Sequence, residues 1–181
     1  FLSTKTPPLI GVDICSSSIK IVELSELAKK NGYVIEHYAI ETLPQNAVSD
    51  GNINDLEAVS ECMRRAWKRM GTRIKNISLA LPAAAVISKK IFLPSGLNEE
   101  DMEHQVTAEA NQYIPFSIDE VNLDFQVLGP APGNTAEIEI LLAASRNANV
   151  EDRVAVAQVA GLKVVVMDVE HYAADMAFDQ I

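Results

Sequence analysis

A chain of 181 residues, 48% hydrophobic and 22% charged, is long enough to bury a substantial core and reads as a globular protein of one domain or two small lobes. Its 15 Lys and Arg stand against 25 Asp and Glu, a formal charge of −10 that repels nucleic-acid backbones and anionic lipid, so no nucleic-acid partner is expected. No apolar run approaches the ~20 residues that span a bilayer, so membrane association is expected only indirectly, through a partner.

Residues 9–15 and 19–24 read as strands, and "YVIEHYAIETL" alternates well enough to be a third, giving an opening antiparallel meander. Pro44 to Asn52 is turn material. In "INDLEAVSECMRRAWKRMG" the apolar residues recur at steps of three and four, which predicts an amphipathic helix ending at Gly71. "NISLALP" and "AVISKKIFLP" read as two strands, each stopped by proline. Asn98 followed by Glu99, Glu100 and Asp101 is a helix start, with Leu97 placed to staple onto Met102. Pro115 ends that helix near Ile114. "VNLDFQVLG" and "AEIEILLAAS" are two further strands around the turn-forming "PAPGN".

A helix then runs from Asn149 to Gly161. "LKVVVMDV" reads as a strand buried on both faces, and Asp168 as the cap of a last helix, "VEHYAADMAFDQI". The order predicts an α/β lobe interrupted by a small α+β lobe.

Several constellations point to no chemistry. Arg64, Arg65, Lys68, Arg69, Arg73 and Lys75 form the densest basic stretch, and at helical spacing they make a solvated face. Cys15 and Cys62 have neither metal nor disulfide spacing, which fits a reducing cytoplasm. His37, His104 and His171 fall in separate elements, so no metal cluster is expected from them. The five methionines lie on apolar stripes as core packing. Glu170 stands with Asp168 at the end of an apolar strand, where α/β proteins place catalytic acids, although capping accounts for Asp168. Phe1 is not a methionine, so a trimmed N-terminus is expected and any signal on it is not legible.

The segment "GVDICSSSIKIVEL" is more telling. Asp13, Ser16, Ser17, Ser18 and Lys20 gather an acid, three hydroxyls and a cation around one tight turn. The residues alone leave two readings open: a phosphate-facing hairpin, or a solvated one whose serines bond their own backbone. Likewise the two aromatics of "YIPF" at the proline break either line a groove or plug the core.

"GVDICSSSIKIVEL", "VTAEANQYIPFSIDEVNLDFQVL" and "GLKVVVMDVEHYAADMAF" together resemble the PilM family, actin-like cytoplasmic proteins of bacterial type IV pilus assembly related to the division protein FtsA. The likeness runs over nearly the whole chain, and the middle segment is its most specific part. It implies an actin-like, ribonuclease H-type lobe, subdomain 1A, over residues 1–74 and 146–181. Residues 75–145 would be the inserted subdomain 1C. The second half of the fold, with a further phosphate motif and an adenosine site, is expected beyond Ile181 and absent here.

By the same resemblance Asp13 matches the acid that meets the magnesium of ATP through water. Ser16, Ser17 and Ser18 match the phosphate turn and Lys20 its lysine. Cys15 departs from the glycine often found there. With half of the pocket missing, this chain is expected to bind ATP weakly or not at all and to be inactive; the full-length protein is expected to bind ATP with little or slow hydrolysis.

The resemblance also implies an adaptor at the inner membrane, serving pilus biogenesis and twitching motility. Its expected partner is the short cytoplasmic N-terminal tail of PilN, held between subdomains 1A and 1C, along with other platform proteins. The Tyr113–Phe116 break (Tyr113, Ile114, Phe116) and the neighbouring Val121 and Leu123 are the expected walls. Two other readings stand beside this one. An actin-like ATPase or sugar-kinase-like phosphotransferase would need a catalytic acid and a second phosphate loop that these residues do not supply. A self-associating module would form a homo-oligomer through exposed apolar surface.

Overall fold

The computed structural model describes residues 8–27 and 32–178. Its contacts divide the chain into two compact units, Phe1–Pro82 with Glu151–Ile181, and Ala83–Val150.

The first unit opens as the expected meander of β1 (Ile10–Ile14), β2 (Ser18–Glu26) and β3 (Tyr33–Thr42), antiparallel throughout. The segment expected to be turn material contains two short strands, β4 (Val48–Ser49) and β5 (Asn52–Ile53), paired around Asp50 and Gly51. Both turn residues have positive φ, 51° and 79°, which matches the primed turn that follows strand twist. Helix α1 (Leu56–Met70) follows. The Asp55 carboxylate accepts the Ala58 N–H at 2.9 Å to start it, and Gly71, at φ 69°, ends it in the left-handed conformation. Val59, Met63, Ala66 and Met70 recur on one face and are buried against the sheet.

Strand β6 (Asn76–Leu81) corrects the sequence reading. "NISLALP" was expected in the inserted lobe; it lies instead in the main sheet, parallel to β1, and the boundary falls after Pro82 rather than at residue 75. An alternating strand reads the same in either sheet, and only its long-range pairing assigns it. The chain returns at Glu151 within helix α3 (Asn147–Val159), which starts two residues before the expected Asn149, and continues through β10 (Lys163–Val169) into α4 (Glu170–Phe178). The last residues of the expected final helix, 179–181, lie outside the described residues.

The five-stranded sheet has the order β10-β6-β1-β2-β3, with β10, β6 and β1 mutually parallel. Helices α1 and α3 supply the core partners for one face: Met63, Ala66, Val156 and Ala157 meet Ile10, Ile21, Ile77 and Leu79. Contrary to expectation, β10 is an edge strand, with Val165 44% and Val166 42% exposed. An unbroken apolar run does not reveal whether both of its faces are covered.

The second unit is a three-stranded antiparallel sheet, β7 (Ile87–Pro94), β9 (Asn134–Arg146) and β8 (Val121–Ala131), in that spatial order, packed against α2 (Glu99–Tyr113). The Asn98 side chain accepts the Asp101 N–H at 2.9 Å, and Leu97 and Met102 both pack on the core, as the cap and staple predict. Val106, Ala110 and Ile114 from the helix side meet Ile91, Ile140 and Leu142 of the sheet. Among the described residues no helix is long and apolar enough to cross a membrane.

Candidate functional site

The turn between β1 and β2 is closed by the Cys15 N–H donating to the Ser18 carbonyl at 3.0 Å, leaving Ser16 and Ser17 as a two-residue loop. Neither has positive φ, so the turn is not of the primed type usual in hairpins. The Ser17 carbonyl accepts the Leu43 N–H at 2.9 Å, which fastens the turn to the end of β3. Among the described residues no backbone carbonyl engages the N–H groups of Ser16 and Ser17, and both residues are exposed. Ser18 is half-buried at the start of β2.

Asp13 and Lys20 are cross-strand partners on the sheet face opposite the core. Lys20 Nζ donates to Asp13 Oδ2 at 2.9 Å, Cys15 Sγ donates to the same oxygen at 3.0 Å, and Nζ also reaches Sγ at 3.2 Å. The Asp13 hydrogen bond holds the Lys20 ammonium above its usual range, so it stays charged. Burial, reinforced by Asp13, pushes the Cys15 thiol up, which leaves it protonated and a poor nucleophile.

This cluster stands in a cavity of about 660 Å³, whose lining also includes Val22, Tyr38 and Ile40 from the sheet and Glu170 and Ala173 from α4. Asp168 and Glu170 line it as well. Asp168 belongs to β10 and accepts the N–H of its own neighbour Val169 at 2.7 Å, so its carboxylate does not cap α4 as expected. Burial, and next the charge of Asp13, raises the Glu170 carboxyl, while Arg153 and Lys20 oppose that shift.

Arg153 is the residue that the sequence reading passed over. It is 1% exposed, and its Nη2 donates to the Gly51 carbonyl at 2.8 Å. Burial lowers its guanidinium from the usual range, and the Glu170 charge counters this. The available signal was one arginine leading a helix stretch of valine and alanine broken only by Gln158, "VAVAQVA".

The basic stretch is largely engaged within the first unit. Arg65 and Arg69 both pair with Glu41, Arg64 meets Glu61 at 2.9 Å, and Lys75 lies 5.3 Å over the Trp67 ring. The Arg65 hydrogen bond holds the Glu41 carboxyl below the usual carboxylate range.

In the second unit the proline break sets Tyr113, 41% exposed, and Phe116, 37% exposed, at the surface. A cation covers each ring: Lys89 lies 5.1 Å from the Tyr113 centroid and Arg146 5.1 Å from that of Phe116. Ile114 between them is a core residue, 5% exposed, and Val121 and Leu123 are half-buried against the same core.

Sheet order, inserted α+β unit and charged first hairpin define an actin-like protein with the ribonuclease H-type strand arrangement. A family described as type IV pilus assembly protein PilM matches residues 11–181, and the chain belongs to that family. Among solved structures, a "PilM-PilN type IV pilus biogenesis complex" superposes with a TM-score of 0.83 at 29% identity, covering 94% of this chain and 50% of that one. The cytoplasmic domain of EpsL, an inner-membrane component of the type II secretion system of Vibrio cholerae, gives 0.51 at 15% identity, over 88% of this chain and 56% of that one, a likeness of fold alone. This chain therefore spans about half the length of the PilM chain it matches. The family and fold class read from the sequence both hold.

Proposed function

We propose that this chain is the tail-docking half of a type IV pilus adaptor, taking the cytoplasmic N-terminal tail of a PilN-type inner-membrane partner. The observation that carries the reading is the likeness along 94% of the chain to a PilM solved with PilN. Strand β8 is an edge of its sheet, and an exposed edge offers main-chain hydrogen bonds to an extended peptide. Phe116 supplies apolar surface by Arg146, the cross-strand partner of Val121 at the start of β8, with Val121 and Leu123 as partly buried flanks and Ile114 as the core residue before it, while Tyr113 adds an exposed ring against Lys89 of β7. A tail of this kind would tie the chain to the membrane.

The first hairpin fits a second, latent role in the full-length protein. The unengaged N–H groups of Ser16 and Ser17, with the Ser18 hydroxyl and Lys20, would hold the phosphates of ATP, and Asp13 its magnesium through water. Bound there, magnesium ATP would supply a ligand able to bridge this hairpin to the remainder of the fold. Lacking that enclosure, the chain alone binds ATP weakly or not at all and turns none over.

Phe116→Ala tests the docking surface. The ring is partly exposed in the bend that follows α2, so the fold survives, and the tail peptide should bind about tenfold more weakly, roughly 1.4 kcal/mol. An unchanged Kd in the folded variant rejects this placement.

A further inference from the structure

Residues 64–75 hold six of the chain's 15 lysines and arginines and none of its 25 acids, so the negative charge of the whole chain is carried elsewhere. Arg64, Arg65, Lys68 and Arg69 share one exposed face over the last turns of α1, and Met63, Ala66 and Met70 are buried on the other side. Internal pairing positions this face without neutralising it. Arg65 and Arg69 divide the single Glu41 carboxylate between them, Arg64 has Glu61, and the three arginine side chains remain 51–61% exposed. Lys68 and Arg73 have no ion-pair partner among the described residues. Strand pairing adds a cation from far along the sequence: the Lys163 N–H, at the start of β10, donates to the Lys75 carbonyl at 2.9 Å and sets a further exposed lysine beside the patch. Attraction to the helix dipole accounts for Lys68 and Arg69 in the last turn, but Arg73, Lys75 and Lys163 lie beyond the Gly71 cap.

We infer that this basic face is a docking surface for the anionic headgroups of a phospholipid leaflet. Charge complementarity calls for an anionic partner, and the cations are spread along the end of α1, the 71–75 connection and the start of β10 rather than gathered around one point. That spread matches a continuous charged plane better than a single bound anion. A chain that holds the tail of an inner-membrane protein works within reach of such a plane; the inference rests on the tail-docking reading for this nearness alone. The acidic remainder of the chain is repelled by the same surface, so the patch also sets which side of the first unit faces the leaflet. Each cation near an anionic leaflet strengthens binding about fivefold, so the patch alone gives weak, salt-sensitive attachment that a docked tail would make firm.

The experiment is flotation of the whole chain with vesicles of phosphatidylcholine, alone or with about 30% phosphatidylglycerol, at about 0.05 M and about 0.5 M salt. The wild type is compared with the double variant Lys68→Glu, Arg73→Glu, whose two sites are exposed and make no ion pair, so the substitutions spare the fold. At low salt the wild type should bind the phosphatidylglycerol vesicles at least about tenfold better than the neutral ones, and lose most of that preference at high salt. The double variant should bind them at least about tenfold more weakly while keeping the wild-type Kd for the tail peptide. No preference for phosphatidylglycerol, a preference that salt leaves intact, or an unchanged double variant each contradicts the inference. Binding to soluble polyglutamate in place of vesicles also overturns it, and assigns the face to an acidic protein. No tail is present in the flotation, so its failure and a failure of tail docking are read separately.

Discussion

Leu142→Ala is expected to destabilise the second unit by about 3 kcal/mol, within the ~2–5 kcal/mol that such truncations cost at fully buried sites. Leu142 lies on β9, the central strand, opposite Lys89 of β7 and Phe125 of β8, and none of its surface is exposed. Alanine leaves a void that Val106 and Ala110, fixed on a helix held by its own cap, cannot collapse to fill. The unit has a small core of eight buried residues, so each lost contact is a large share of its stability. The midpoint of its thermal unfolding should fall by roughly 10–20 °C. A loss under about 1 kcal/mol would show that this core is not packed as described.

The second large effect is at Gly51. Alanine there must hold φ near 79°, a conformation that costs an L residue about 1–2 kcal/mol, and its Cβ would overlap Pro82 at 2.7 Å. Pushing the turn away to relieve that overlap also pulls the carbonyl from the buried Arg153, whose loss of a partner is penalised further. The sum predicts a destabilisation of about 2–4 kcal/mol for Gly51→Ala, against well under 1 kcal/mol for a glycine in open space with negative φ. Combining it with Pro82→Ala separates the parts: the steric share should be recovered and the backbone share should remain. Near-neutral Gly51→Ala, by chemical denaturation, would contradict the hairpin geometry.

Local signals were legible where they close within a few residues. Helix α1 announces itself through its apolar period, Asp55 and Gly71, and α2 through Asn98, Leu97 and Pro115. The charged hairpin could be read as a unit because Asp13 and Lys20 are paired by a two-residue loop. What depends on distant pairing was not legible. The sheet to which β6 belongs is decided by β1 and β10, dozens of residues away on either side. Glu170 could be suspected as a strand-end acid, but nothing local says that it shares a cavity with Asp13. Ile114 shows the same limit at short range: flanked by two exposed rings, it turns inward because the helix ends there.

The docking role is tested most directly by calorimetric titration of this chain with a synthetic PilN N-terminal tail peptide, with and without magnesium ATP. Saturable peptide binding that nucleotide leaves unchanged is the predicted result. Heat from nucleotide alone, with no peptide binding, would contradict the adaptor reading and make the serine turn the working site of this chain.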